Sequence, residues 1–107
     1  MRIYIAGPMT GIKSFNFPEF RIVKNNLLLQ GYDVISPVDL DEQEYPNHDF
    51  ESGTLPSNWN YKTQLEVDIM NLKLCDAIFL LKGWENSNGA KIELCNALQL
   101  DLMVMLQ

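Results

Sequence analysis

Histidine is nearly absent, with His48 the single copy in 107 residues. Cysteine is scarce too, limited to Cys75 and Cys95. None of the three falls at metal-ligand spacing with another, so no metal site is predicted. Both cysteines lie in apolar stretches and are expected to be reduced, buried packing residues of an intracellular protein. Cations are outnumbered, 8 Lys and Arg against 14 Asp and Glu, for a net charge of −6. That balance argues against a nucleic acid polymer or an anionic membrane as partner, because too few cations are present to displace counterions. It leaves room for a small anion held by backbone amides. No run approaches the roughly 20 apolar residues of a membrane span. The opening MRIYIAGPM has too short an apolar run for a signal peptide. A cytoplasmic protein is the expectation.

What is present fits one globular domain over residues 1–107: 47% hydrophobic and 21% charged residues around a single core. RIYIA (2–6) is a short β-rich run, punctuated by GPMTG. Residues 16–30 read as a helix, with Asn16 as N-cap, Pro18 in the first turn and Glu19 completing a capping box. Gly31 stops it. YDVIS (32–36) is a second strand ended by Pro37. Residues 39–58 are polar and acidic without clear periodicity, which predicts a functional loop, with 41–58 mobile or forming a lid. A helix over 59–75, a strand over 76–81, a loop, a helix over 90–100 and a strand over 101–106 follow. This alternation predicts an α/β fold: one Rossmann-like (flavodoxin-like) domain, with a mostly parallel sheet of four to five strands flanked by helices. Ligands bind such sheets outside the carboxyl ends of the strands. There the chain places GPMTG, the long loop and KGWENSNG.

Two acids stand on faces where acids are costly. In the last helix, Ala90, Leu94, Ala97, Leu98 and Leu100 define one apolar arc at about 100° per residue, and Glu93 falls inside it. In the helix before it, Tyr61, Leu65, Ile69 and Leu72 form the stripe, and Asp68 stands beside it. Burying an unpaired carboxylate is expensive, so such groups are kept where they are paired or where chemistry needs them. The structural alternatives are that Glu93 braces a loop through backbone N–H groups, and that Asp68 pairs with Arg2, Arg21 or Lys91. Two nearby carboxyl groups are also the minimal equipment for cleaving a glycosidic bond.

At these residues the chain resembles the nucleoside 2-deoxyribosyltransferase-like superfamily, most of all its short phage and bacterial relatives. IYIAGPMTG is similar to the family's first strand and substrate loop, and NFPEF…GYDVISP to the next helix and strand. YKTQLEVDIMNLKLCDAIFLL resembles the helix that carries the family's Asp, with its third strand. GWENSNGAKIE follows the pattern Ser-x-Gly-x-x-x-Glu through Ser87, Gly89 and Glu93. The resemblance implies Glu93 as nucleophile at the sugar's anomeric carbon, Asp68 as sugar holder or acid, and Tyr4 beside the nucleophile. It implies substrate contacts at Gly7, Pro8, Met9, Asn16, Trp59, Ser87 and Gly89. Trp84 and Tyr61 are further candidates for stacking on a base. No metal or other cofactor is required. The phosphate-binding N-glycosidases of that superfamily carry arginine in the first loop, where this chain offers only Lys13.

The function expected is that of an N-glycosidase or deoxyribosyltransferase, cleaving the base–sugar bond of a nucleoside or nucleoside 5'-monophosphate. The alternative is a catalytically weak protein that binds a nucleotide or a nucleotide-derived signal. The apolar LQLDLMVML near the end and the family resemblance both predict self-association, as a homodimer or higher homo-oligomer.

Overall fold

The computed structural model describes residues 1–107. The chain alternates β1 (Arg2–Ala6), α1 (Phe17–Leu29), β2 (Asp33–Ile35), α2 (Pro37–Glu44), α3 (Tyr61–Leu72), β3 (Ala77–Leu80), α4 (Asn88–Gln99) and β4 (Met103–Leu106). The sheet has 4 strands in the order β2-β1-β3-β4. Every pairing is parallel, with Tyr4 opposite both Ile35 and Ile78. The fold is therefore α/β and flavodoxin-like, with a wholly parallel sheet.

Alternation along β1 divides the core. Ile3 and Ile5 point to one face, where they pack with Phe17, Phe20, Val23 and Leu27 of α1 and Val38 of α2. Tyr4 and Ala6 point to the other, among Leu72 of α3, Ile78 and Leu80 of β3, and Ala90 and Ala97 of α4. Residues 3–6 are buried on both faces, which is why RIYIA is almost continuously apolar. Tyr4 is thereby aimed at the two helices that carry Asp68 and Glu93.

Several expectations are corrected. Residues 39–58 are not an aperiodic loop. Ser36 caps α2 by accepting from the Val38 N–H (3.3 Å), and Pro37, rather than only ending β2, opens the helix. Further on, a short 3-10 turn at Phe50–Ser52 carries Phe50 into the core. Its ring is 3% exposed, 5.3 Å from the Phe17 ring and 5.8 Å from that of Trp59. Phe50 thus anchors to the core the segment 41–58, which was expected to be mobile or to form a lid. Asn16 caps nothing, because its backbone is left-handed and its side chain reaches elsewhere. Glu19 makes no capping box; its carboxylate accepts from the Gln107 side-chain amide (2.7 Å). Cys95 is exposed, while Cys75 is buried and reduced. On α4 the buried positions are Ala90, Glu93 and Ala97, whereas Leu98 and Leu100 face outward. On α3 they are Gln64 and Leu72, with Tyr61 exposed. No helix is long and apolar enough to cross a membrane.

Candidate active site

A cleft of about 480 Å³ opens at the carboxyl ends of the central strands. One rim is the loop that follows β1, Gly7 to Thr10. Gly7 is required there by space rather than by its dihedrals, since a Cβ would come within 2.7 Å of Leu81. Asn16 holds this loop from behind by donating its side-chain N–H to the Pro8 carbonyl (2.9 Å). To do so it sits in a left-handed turn with Ser14 and Phe15, at φ of 63, 55 and 51. Each such non-glycine residue costs on the order of 1 kcal/mol or more. Asn16 thus positions the loop and does not itself line the cleft.

The opposite rim is the entrance of α4. Ser87 is its N-cap, accepting from the Ala90 N–H (3.2 Å). Gly89 leaves room for the Tyr61 hydroxyl, which a Cβ would meet at 3.2 Å. Ser87, Gly89, Trp59 and Tyr61 all face the cleft, as do Gly7, Pro8 and Met9; Trp84 does not. Trp59 also leans on Tyr45 (5.6 Å between centroids), so its ring is held in place.

Glu93 and Asp68 both line this cleft. Glu93 is 5% exposed. The Tyr4 hydroxyl donates to its Oε2. Glu93 braces no backbone N–H, since the helix entrance is already capped by Ser87. Its Oε1 has no protein partner, yet it is not among the enclosed orphans; the one enclosed side-chain polar atom without a partner is Asp68 Oδ1. The free oxygen of Glu93 therefore opens to the cleft. Asp68 has no ion-pair partner: Arg21 pairs with Glu42 and Glu51 instead.

Sequence reasoning missed a third acid. Asp41, on the buried face of α2, is 4% exposed and lines the same cleft. Its Oδ1 accepts from the Gln64 side-chain amide of α3 (2.9 Å). Both residues carried a signal. Gln64 lies four before Asp68, on one helical face. Asp41 follows a Ser-Pro helix start that the acidic composition obscured.

No lysine, arginine or histidine lines the cleft. Burial therefore acts on the acids almost uncompensated. It pushes Glu93 up to about 8, against the opposing Tyr4 hydrogen bond and with Asp41's charge adding to the rise. Burial, then the charges of Glu93 and Asp41, push Asp68 up to about 9. Burial pushes Asp41 up to about 7, against the Gln64 hydrogen bond and with Glu42's charge adding. Tyr4 is raised well above its ordinary value by burial, then by Glu93 and Asp68, so it stays a hydrogen-bond donor. No group of three or more His, Cys, Asp or Glu side chains is arranged to hold a metal ion.

The family described as Domain of unknown function (DUF4406) matches residues 1–106. The chain belongs to the DUF4406 family. No curated protein matches it. For this DUF4406 member the chemistry on offer is a carboxyl with one open oxygen and the other bonded by a tyrosine, a second carboxyl of still higher proton affinity, and a third held by an amide.

Proposed function

We propose that the protein cleaves the N-glycosidic bond of a nucleoside, as a hydrolase or a deoxyribosyltransferase. The observation that carries this is Glu93, with one oxygen bonded by Tyr4 and the other free toward a cleft shared with Asp68. The resemblance to nucleoside 2-deoxyribosyltransferase-like proteins at the same residues supports it. Glu93 Oε1 attacks the anomeric carbon and forms a glycosyl ester as the carbon–nitrogen bond breaks. The bonding pair leaves with the base, which takes the proton of Asp68. Water, or a second base, then attacks the same carbon, yields its proton to Asp68 and releases Glu93. Tyr4 holds the nucleophile in place and favours its ionised form.

A cleft without lysine or arginine favours an unphosphorylated nucleoside over a 5'-monophosphate. One observation supports a second reading. Burial leaves much of Glu93 protonated at neutral pH, as in a protein that binds a nucleotide or a nucleotide-derived signal and turns it over slowly.

The test is incubation with nucleosides and monophosphates, with free base measured by chromatography. Base release is expected from nucleosides. Glu93→Gln is expected to lower it by roughly a thousandfold or more, and Asp68→Asn by roughly a hundredfold. Full activity in Glu93→Gln would end the nucleophile assignment. Tight nucleotide binding without base release would favour the second reading.

A further inference from the structure

Acids buried in a protein are ordinarily paired with an opposite charge. Those of the cleft are not. Asp41 of α2, Asp68 of α3 and Glu93 of α4 converge on it from three elements, yet no lysine, arginine or histidine lines it. The ion pairs of the protein lie elsewhere, between Arg21 and Glu42 or Glu51 and between Lys24 and Asp39. Asp41 and Glu93 are 4% and 5% exposed, and Asp68 Oδ1 is enclosed with no hydrogen-bond partner. The side-chain donors that do reach these acids are neutral: the Gln64 amide on Asp41 and the Tyr4 hydroxyl on Glu93. A second, independent feature of the cavity points the same way. Trp59 and Tyr61 also line it, and the faces of such rings attract cations. Acids that lack a counter-charge, beside electron-rich rings, suit a flat organic cation.

We propose that the cleft selects nucleosides whose base carries a fixed positive charge, with the quaternised ring nitrogen supplying the counter-charge that no side chain of the cleft provides. This rests on the nucleoside reading above and names its substrate class. Burial, the main cause, raises Asp41 to about 7, Glu93 to about 8 and Asp68 to about 9. A cation entering among them favours their ionised forms, so its binding releases protons to solvent. Besides these acids, only the Tyr4 and Tyr61 hydroxyls are titratable around the cavity. The chemistry simplifies when the charge sits on the glycosidic nitrogen. Glu93 Oε1 bonds to the anomeric carbon as the carbon–nitrogen bond breaks, and the bonding pair cancels the charge of the ring. The base departs neutral and needs no proton from Asp68. Water then attacks the same carbon, breaks the ester and yields its proton to Asp68, left ionised by the cation.

The test uses two molecules of one shape on the intact protein: N-ribosylpyridinium, and the ribosylbenzene in which carbon replaces the charged nitrogen, each also in 2'-deoxy form. Calorimetry at about pH 8 is expected to find the cation bound roughly tenfold or more tighter. Between about pH 6 and about pH 8 its affinity is expected to rise, by up to about tenfold per pH unit for each proton released, while that of the neutral isostere stays level. Asp41→Asn keeps the shape, removes one charge and is expected to cut the ratio severalfold, with circular dichroism confirming its fold. In single turnover at saturating substrate, Asp68→Asn is expected to slow pyridine release by less than about tenfold, against roughly a hundredfold for neutral nucleosides. A ratio near one in the parent protein, or a ratio unchanged in Asp41→Asn, would overturn the charge selection even if neutral nucleosides are cleaved. Preference for the cation without pyridine release would keep the charge selection and overturn the glycosidase.

Discussion

At the scale of the residue, three carboxyl groups in one cleft govern how the protein responds to pH. The proposed chemistry needs Glu93 ionised and Asp68 protonated. With Glu93 raised to about 8 and Asp68 to about 9, base release is expected to climb toward the first value and fall beyond the second. The two apparent values belong to the pair and not to either residue alone. A rate that peaks well below neutrality would contradict the assignment. Stability should move the other way. An acid whose folded pKa is raised stabilises fully below its unfolded value, and that contribution is lost as pH rises through the folded one. For Asp68 the window runs from its usual 3.8 to about 9. Melting temperature is therefore expected to fall between about pH 5 and about pH 9, and Asp68→Asn is expected to flatten the slope and melt higher at the alkaline end. Scanning fluorimetry across that range checks it; an Asp68→Asn protein that melts lower throughout would mean the carboxylate is a stabilising element. The acids were half legible in the chain. Glu93 and Asp68 betrayed themselves by interrupting apolar helical faces. Asp41 did not, because acidic neighbours on both sides masked the period of its helix.

The elements were legible wherever a strong apolar period or a clear stop was present. Gly31, at φ 91, ends α1 as its position implies. The stretch after β2 was misjudged for a physical reason: one aromatic anchor, not a repeating stripe, ties it down. Phe50 packs on Phe17, Tyr45, His48 and Trp59. Phe50→Ala is expected to cost about 3–5 kcal/mol in chemical denaturation. Hydrogen exchange over residues 44–58 should then speed up more than exchange in β1. If the variant loses under about 1 kcal/mol, the anchor is not what holds this segment. The loop after β1 depends on a missing side chain. Gly7→Ala drives a methyl group into Leu81, itself fully buried, and is expected to cost about 1–3 kcal/mol and to lower activity with it. The need for glycine there was invisible in the sequence, since it comes from a contact with residue 81 and not from a turn.

At the scale of the whole molecule, the sheet ends in two edge strands, β2 and β4. β4 is an edge strand, and Met103, Val104 and Leu106 are all substantially exposed. Leu98 and Leu100, read as core positions from their spacing, are exposed as well. Their period was legible, but whether it faced the sheet or a neighbour was not. An unprotected apolar edge is a pairing hazard unless something covers it. A second copy related by a two-fold axis would do so with its own β4 running antiparallel, and the expected species in light scattering is a dimer. Val104→Lys is expected to give a monomer that keeps its melting profile, because a charge on an exposed edge-strand position disfavours strand pairing. A monomeric parent protein at micromolar concentration would rule this out.

The position of β1 in the middle of the sheet also has a consequence for how the chain comes off the ribosome. Its partners are β2, beginning at Asp33, and β3, beginning at Ala77. The central strand is thus made before both of its neighbours and completed late, roughly 70 residues afterwards, which at about 5–20 residues per second is a wait of several seconds. During that interval RIYIA can pair only with β2 and shelter only beneath α1 and α2. The same burial on both faces that aims Tyr4 at the helices carrying Asp68 and Glu93 leaves the newborn chain with one open flank, where chaperones and misassembly compete until β3 arrives.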